Sequence, residues 1–148
     1  MNITLKLGTY NFLKNQQTSA DTLLKPLFDD KADHLLIKVL AESGQYRKKT
    51  GSLISSNRLY LLTYLKFNKD QAAIFDNKMY SDDFIITDKD SEIFQKKDNR
   101  LEYLVISTFP DEESLKNWRT FIKKQINVEI QRFSEEPFGF FLKEYELS

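Results

Sequence analysis

Among residue types that carry chemistry, this sequence has many aromatics and hydroxyls and few strong nucleophiles or metal ligands. It has one histidine, His34, and no cysteine, so a thiol nucleophile, a zinc-thiolate site, an iron-sulfur cluster and a disulfide are all excluded. A Ser-His-Asp triad would rest on His34 alone. No P-loop, Gly-x-Gly-x-x-Gly, Gly-x-Ser-x-Gly or His-Glu-x-x-His string occurs. Asp82-Asp83 and Asp88-x-Asp90 are acidic clusters without the glycine and closing glutamate of a calcium loop, and they read as solvated turns. Arg47-Lys48-Lys49 reads as a solvated turn as well.

What remains is a small set of aromatic and hydroxyl side chains. Trp118 stands on an amphipathic helix beside Leu115, Phe121 and Ile122, where it either packs the core or faces a ligand. Thr63 interrupts the apolar face of a strand, and its hydroxyl either lines a cavity or satisfies a neighbouring backbone group. Tyr60, Tyr64 and Tyr103 would join such a pocket if their faces turn inward, and otherwise serve cross-strand packing. His34 reads as a structural or surface residue.

The elements that must position these groups are legible from periodicity. Asn2 to Leu7 alternates as a half-buried strand, and Thr9 caps a short helix reaching about Gln17. Leu23 to Phe28 and His34 to Leu40 pair as a hairpin across a polar turn. Gln45 to Lys49 forms a short return strand, followed by a helical turn over Thr50 to Ser56. From Arg58 the signal strengthens. Leu59, Leu61, Leu65 and Phe67 lie on one strand face and Tyr60, Leu62, Tyr64 and Lys66 on the other, as expected of a strand covered on both sides. Asn68 caps a helix from Lys69 to about Tyr80. Phe84 to Thr87 and Glu92 to Lys96 make an edge strand. Leu101 to Phe109 is a further strand, Pro110-Asp111-Glu112-Glu113 opens the Trp118 helix, and Phe138 to Leu147 closes the chain as a strand after an unassigned stretch from Gln125 to Glu136. The fold class is therefore α+β. An abbreviated half over 1–57 precedes a complete β-α-β-β-α-β module of the ferredoxin-like kind over 58–148.

Composition bounds the rest. The chain has 148 residues, 41% hydrophobic, with 22 basic and 22 acidic side chains, so no net field draws it to nucleic acid. No apolar run is long enough to span a bilayer and no secretory leader opens the sequence, which makes a cytoplasmic location the expectation.

Three stretches carry a family resemblance. Leu7-Gly8-Thr9-Tyr10-Asn11-Phe12-Leu13 resembles the Tyr-Gly-Thr-x-x-Phe-Leu opening of the HmoB-like and TRAP-like subgroup of antibiotic-biosynthesis-monooxygenase (ABM) and haem-degrading monooxygenase proteins. Leu101 to Trp118 is similar to the strand, acidic turn and Trp-bearing helix of ABM domains. Phe75-Asp76-Asn77-Lys78-Met79 resembles their Phe-x-Asn-Lys-Phe helix, and Phe138 to Leu147 their closing aromatic strand. The resemblance implies a dimeric α/β-barrel type of fold, with the sheet paired either between two subunits or against a truncated copy within one chain. The assembly is then a monomer or a homodimer.

It also implies a site built by an Asn on the first strand of the module, a Trp on its second helix and a His further along that helix. The Trp position is Trp118. The Asn position falls on Thr63 or Tyr64, and the His position, ten residues beyond Trp118, is Val128, which has no donor for iron. The catalytic set carried by resemblance is thus Trp118, Thr63 and Tyr64. Trp118 and Tyr64 would contact a cofactor, with Tyr64 as a substitute iron ligand. Haem is the cofactor the resemblance suggests, and haem or a small aromatic the ligand. Without the Asn and His, a non-catalytic interaction or stress-response role of the TRAP-like kind is the alternative. A third is cofactor-free oxidation of a small aromatic.

Overall fold

The period-two alternation from Asn2 produces strand β1 (Asn2–Gly8) in the computed structural model, which describes residues 1–53, 56–81, 90–131 and 137–148. Thr9 then caps α1 (Tyr10–Gln16), its hydroxyl accepting from the Phe12 amide. β2 (Thr22–Pro26) and β3 (His34–Leu40) form the expected antiparallel hairpin, and β4 (Tyr46–Gly51) returns. The second series is β5 (Leu59–Lys66), α2 (Lys69–Lys78), β6 (Ser91–Lys96), β7 (Glu102–Phe109), α3 (Glu112–Gln131) and β8 (Gly139–Leu147). At the start of α2, Asn68 accepts from the Gln71 amide while the Gln71 side chain accepts from the Asn68 amide, a complete capping box.

The strands close into a barrel in the order β1-β3-β2-β8-β5-β7-β6-β4, with β4 returning to β1 through Asn2↔Arg47 and Ile3↔Tyr46. Every pairing is antiparallel. Taken in chain order, β4-β1-β3-β2 and β8-β5-β7-β6 repeat one strand sequence, last-first-third-second, and meet at the β2–β8 and β4–β6 seams.

The pleat divides the side chains as the sequence requires. Tyr60, Leu62 and Tyr64 of β5 join Ile3, Leu24, Leu35, Phe94, Leu104 and Ile106 inside the barrel. Leu61 and Leu65 point outward, where α2 and α3 cover them together with Phe75, Tyr103, Val105, Leu115, Ile122, Ile126 and Ile130. The smaller helix α1 seals the outer face of β2 and β3 through Leu13, Leu23 and Leu36.

Four expectations are corrected. Thr50 and Gly51 are strand rather than helical turn. Gly51 has φ of +101°, and a Cβ there would collide with the Ser91 carbonyl oxygen across the β4–β6 seam; positions 54 and 55 lie outside the described residues. Glu92 to Lys96 is not an edge, since β6 is bonded on both sides, and barrel closure leaves it no free ladder; Phe84 to Thr87 lies outside the described residues. Arg47-Lys48-Lys49 is the middle of β4 and not a solvated turn, with Lys48 paired to Glu92 and Lys49 to Asp76. The helix carrying Trp118 continues through the stretch from Gln125 to Gln131, because Ile126 and Ile130 extend its buried stripe.

Candidate functional site

The position of α3 is set at its first turn, where the Asp111 carboxylate accepts from the Ser114 amide at 2.8 Å. The Ser114 contacts hold the Asp111 carboxyl below its ordinary range. From that start, a three- to four-residue step lays Leu115, Trp118, Ile122, Ile126 and Ile130 against the sheet. Phe121 falls off the stripe and is 37% exposed, with its ring 5.4 Å from that of Trp118.

Trp118 and Phe121 form one wall of an open cleft of about 650 Å³. Ser114 and Asn117 continue that wall, Thr108 and Phe109 at the end of β7 make the floor, and Asp90 closes it at the entry to β6. Asp90 is anchored by its carbonyl oxygen, which accepts from the Thr108 amide at 3.0 Å, and the Thr108 hydroxyl accepts from the buried Asn57 amide at 3.2 Å. The volume falls within the range of small-molecule sites.

Two residues lining this cleft each carry a side-chain polar atom that is shielded from solvent and has no hydrogen-bond partner, the indole Nε1 of Trp118 and Oδ1 of Asp90. One is an obligate donor and the other an acceptor when ionised. An unpaired buried polar group costs about 1–3 kcal/mol, and the two residues that carry these atoms line the same cleft.

Of the residues singled out in the sequence, Thr63 and Trp118 share the helix-covered side of the sheet, and Tyr64 does not. Thr63 lies between Leu61 and Leu65 on β5, fully buried, and its hydroxyl also lacks a partner. Tyr64 points into the barrel and stacks on Phe141 with ring centroids 4.5 Å apart. Burial first, then the neighbouring Tyr145 and Tyr46, push its phenol well above the ordinary range, which opposes the phenolate an iron ligand requires. Tyr60 also faces the barrel interior, whereas Tyr103 faces the helices, donating to Asp76 and accepting from Gln95. Val128 is exposed on α3, and His34 sits on β3 with its ring 5.7 Å from Tyr10. Sequence reading missed Asp90, taken as a solvated turn, and Phe121, taken as core. The Trp-x-x-Phe step was the available signal for Phe121. None existed for Asp90, whose burial follows from its backbone bond to β7.

The unpartnered Thr63 hydroxyl carries a direct prediction. Thr63→Val keeps the β-branched shape and removes a buried polar atom, so it is expected to raise the unfolding free energy by about 1–2 kcal/mol. Urea denaturation of the two proteins measures it, and a loss of stability would show that the hydroxyl is satisfied in solution.

An eight-stranded barrel with helices packed on its outer face and a cleft at the first turns of α3 defines an α+β fold of ferredoxin-like type. It is the fold of proteins related to the antibiotic biosynthesis monooxygenases. The chain is similar to an uncharacterised ferredoxin-fold protein of that kind from Listeria monocytogenes 4b F2365, at 18% identity and a TM-score of 0.70, covering 99% of this chain and 93% of the other. A heme-degrading enzyme from Listeria monocytogenes aligns at 19% identity and a TM-score of 0.70, over 99% of both chains. A major regulator of staphylococcal pathogenesis aligns at 14% identity and a TM-score of 0.70, over 99% and 98%. No family model matches the sequence, and no curated protein matches it.

The likeness to a heme-degrading enzyme raises the question of whether these residues fit haem. Haem iron is held by His, Cys, Met or Tyr side chains, and among the described residues none of these lines the cleft. The donor set of the Trp118 cleft therefore does not fit a haem iron, and no chemistry through haem is derived.

Proposed function

We propose that the chain is a small-molecule-binding protein of ABM-like fold, whose Trp118 cleft takes an uncharged planar aromatic carrying both a hydrogen-bond donor and an acceptor. The single observation behind this is the pair of buried, unpartnered atoms, Trp118 Nε1 and Asp90 Oδ1, on a cavity of about 650 Å³. Trp118 and Phe121 supply ring faces for stacking. A side-chain shift that turns the two atoms to the cleft lets Trp118 Nε1 donate to a ligand oxygen and Asp90 accept from a ligand hydroxyl or N–H. Thr63 lies on the same side of the sheet, and Tyr64 belongs to the barrel interior rather than to this site.

In this reading the haem-degrading activity of the Listeria monocytogenes enzyme is not transferred. Where the family resemblance implies an Asn and a His, this sequence carries Thr63 or Tyr64 and Val128, so binding of the aromatic ligand without haem oxidation is the expected behaviour. A second reading, cofactor-free oxidation of a phenolic ligand with dissolved dioxygen as the electron acceptor, is favoured by Asp90 alone, since a carboxylate beside a phenol is placed to take its proton and leave the more readily oxidised phenolate.

The repeated strand order supports reading residues 1–57 as an abbreviated copy of the 58–148 module, closing the barrel within one chain. A second subunit is then not required for the sheet, and the protein acts as a monomer or as a homodimer through its outer faces. Among the described residues no helix is long and apolar enough to cross a membrane, and the cytoplasm is the location this reading assigns.

Haem titration followed by ascorbate tests the proposal against its nearest competitor. The expected result is an absorption spectrum without a stoichiometric ligation shift and without loss of the porphyrin band. One-to-one binding with reductant-driven ring opening would overturn the proposal in favour of a haem-degrading enzyme.

A further inference from the structure

The barrel interior holds a second cavity, of about 410 Å³, at the end where β1 starts and β7 ends. Its walls are mainly apolar, from Ile3, Ile37, Val39, Phe94 and Ile106, on the opposite side of the sheet from Trp118 and α3. Two charged side chains also line it. Lys48 of β4 and Glu92 of β6 reach across the seam and pair at 2.8 Å, with the Glu92 side chain 11% exposed and that of Lys48 27% exposed.

A charged pair on the wall of an apolar cavity is costly unless its remaining donors and lone pairs are used. One contact to a carboxylate oxygen occupies one of the three ammonium hydrogens, and the carboxylate keeps further acceptor sites. The pair can thus both donate to and accept from a third group. The pair is itself balanced in charge; Met1 also lines the cavity, so the titrations that test the site use N-terminally acetylated protein, in which its amino group is uncharged. A carboxylate or ammonium entering beside the pair would be left without a counter-charge in a poorly solvated space, whereas a hydroxyl or amide would not. The more exposed Lys48 places the polar end near the mouth, and Phe94, Ile37 and Ile3 surround the space for a tail.

We propose that this end of the barrel is a second binding site, for a small amphipathic molecule with an aliphatic tail and an uncharged hydrogen-bonding head. It is independent of the Trp118 cleft, and its selectivity is set by the neutrality of the Lys48–Glu92 pair.

Isothermal titration of the N-terminally acetylated full chain with octanol, octanoate and octylammonium, each below its aggregation concentration, tests this. The wild type is expected to bind octanol about tenfold or more tighter than either charged probe, a difference of one power of ten in Kd. Glu92→Gln leaves Lys48 unbalanced and should turn the preference to octanoate. Lys48→Gln leaves Glu92 unbalanced and should turn it to octylammonium. Opposite reversals cannot come from a loss of folding. No binding of any probe by the wild type, a wild-type preference for a charged head, or variants that keep the wild-type order would each overturn the proposal.

Discussion

Trp118→Ala is expected to weaken binding of an aromatic ligand by about thirtyfold or more, because a stacked Trp at the centre of a site typically contributes 2 kcal/mol or more. The alanine also removes side-chain packing against Leu115, Leu142 and their neighbours, so some loss of stability accompanies it. Trp118→Phe separates the two effects. It keeps a ring against Phe121 and the sheet, removes the indole N–H, which has no partner in the protein, and gives up only part of the indole's packing area. Binding should fall about tenfold, the loss of one hydrogen bond of roughly 1–1.5 kcal/mol. The unfolding free energy should change by less than about 1 kcal/mol, since the removed unpaired donor and the lost ring area act in opposite directions. A merely structural tryptophan would give the reverse, with stability lost and binding intact. Calorimetric titration and urea denaturation of the same samples distinguish them.

Asp21→Ala is expected to cost about 3–5 kcal/mol of stability, the range for stripping the partner from a buried charge. The Asp21 side chain is fully buried beside α1. Its Oδ2 accepts from the Thr18 amide at 2.9 Å and from Lys38 Nζ at 3.1 Å, and its Oδ1 accepts from the Val39 amide at 2.9 Å. One carboxylate thus fastens the chain after α1 to β3, and the alanine leaves two amides and an ammonium without it. Burial by itself would raise the carboxyl pKa. The bonds from Thr18, Val39 and Lys38 outweigh it and hold the group below the ordinary 3.8. A carboxyl depressed in the folded state contributes its stability in full above the unfolded-state value and loses it as pH falls through the folded one. The wild type should therefore lose stability below about pH 4, and Asp21→Ala should show a shallower acid limb over that interval. Denaturant midpoints measured at neutral and acid pH check both statements.

How much was legible in the sequence follows from where each element gets its partners. β5 and β7 were readable on both faces, because Leu61, Leu62, Leu104 and Val105 are apolar wherever the pleat sends them. α2 and the start of α3 were readable because Asn68 and Asp111 cap them through amides three residues on, a purely local device. β4 was not, because Lys48 looks solvated until Glu92 is brought beside it across a seam that only barrel closure creates. The second half of α3 was obscured by Gln125, Asn127 and Glu129 between its buried isoleucines.

The site shows the same division. Trp118 and Thr63 could be singled out in the sequence, since an indole on an amphipathic helix and a hydroxyl in an apolar strand face stand out against their surroundings. Placing Tyr64 with them overlooked that consecutive strand residues face opposite ways. Asp90 was beyond reach. Nothing adjacent to it in sequence distinguishes a carboxylate lining a cleft beside β7 from one waving in solvent.

The complementarity of Trp118 and Asp90 is tested most directly by comparing two ligands of one ring system. Calorimetric titration with 1,5-dihydroxynaphthalene should show saturable one-to-one binding. Its dimethyl ether keeps the ring and the acceptor oxygens but has no proton for Asp90, and should bind about tenfold or more weakly. Equal affinities for the diol and the ether, or no binding of the diol, would contradict the account.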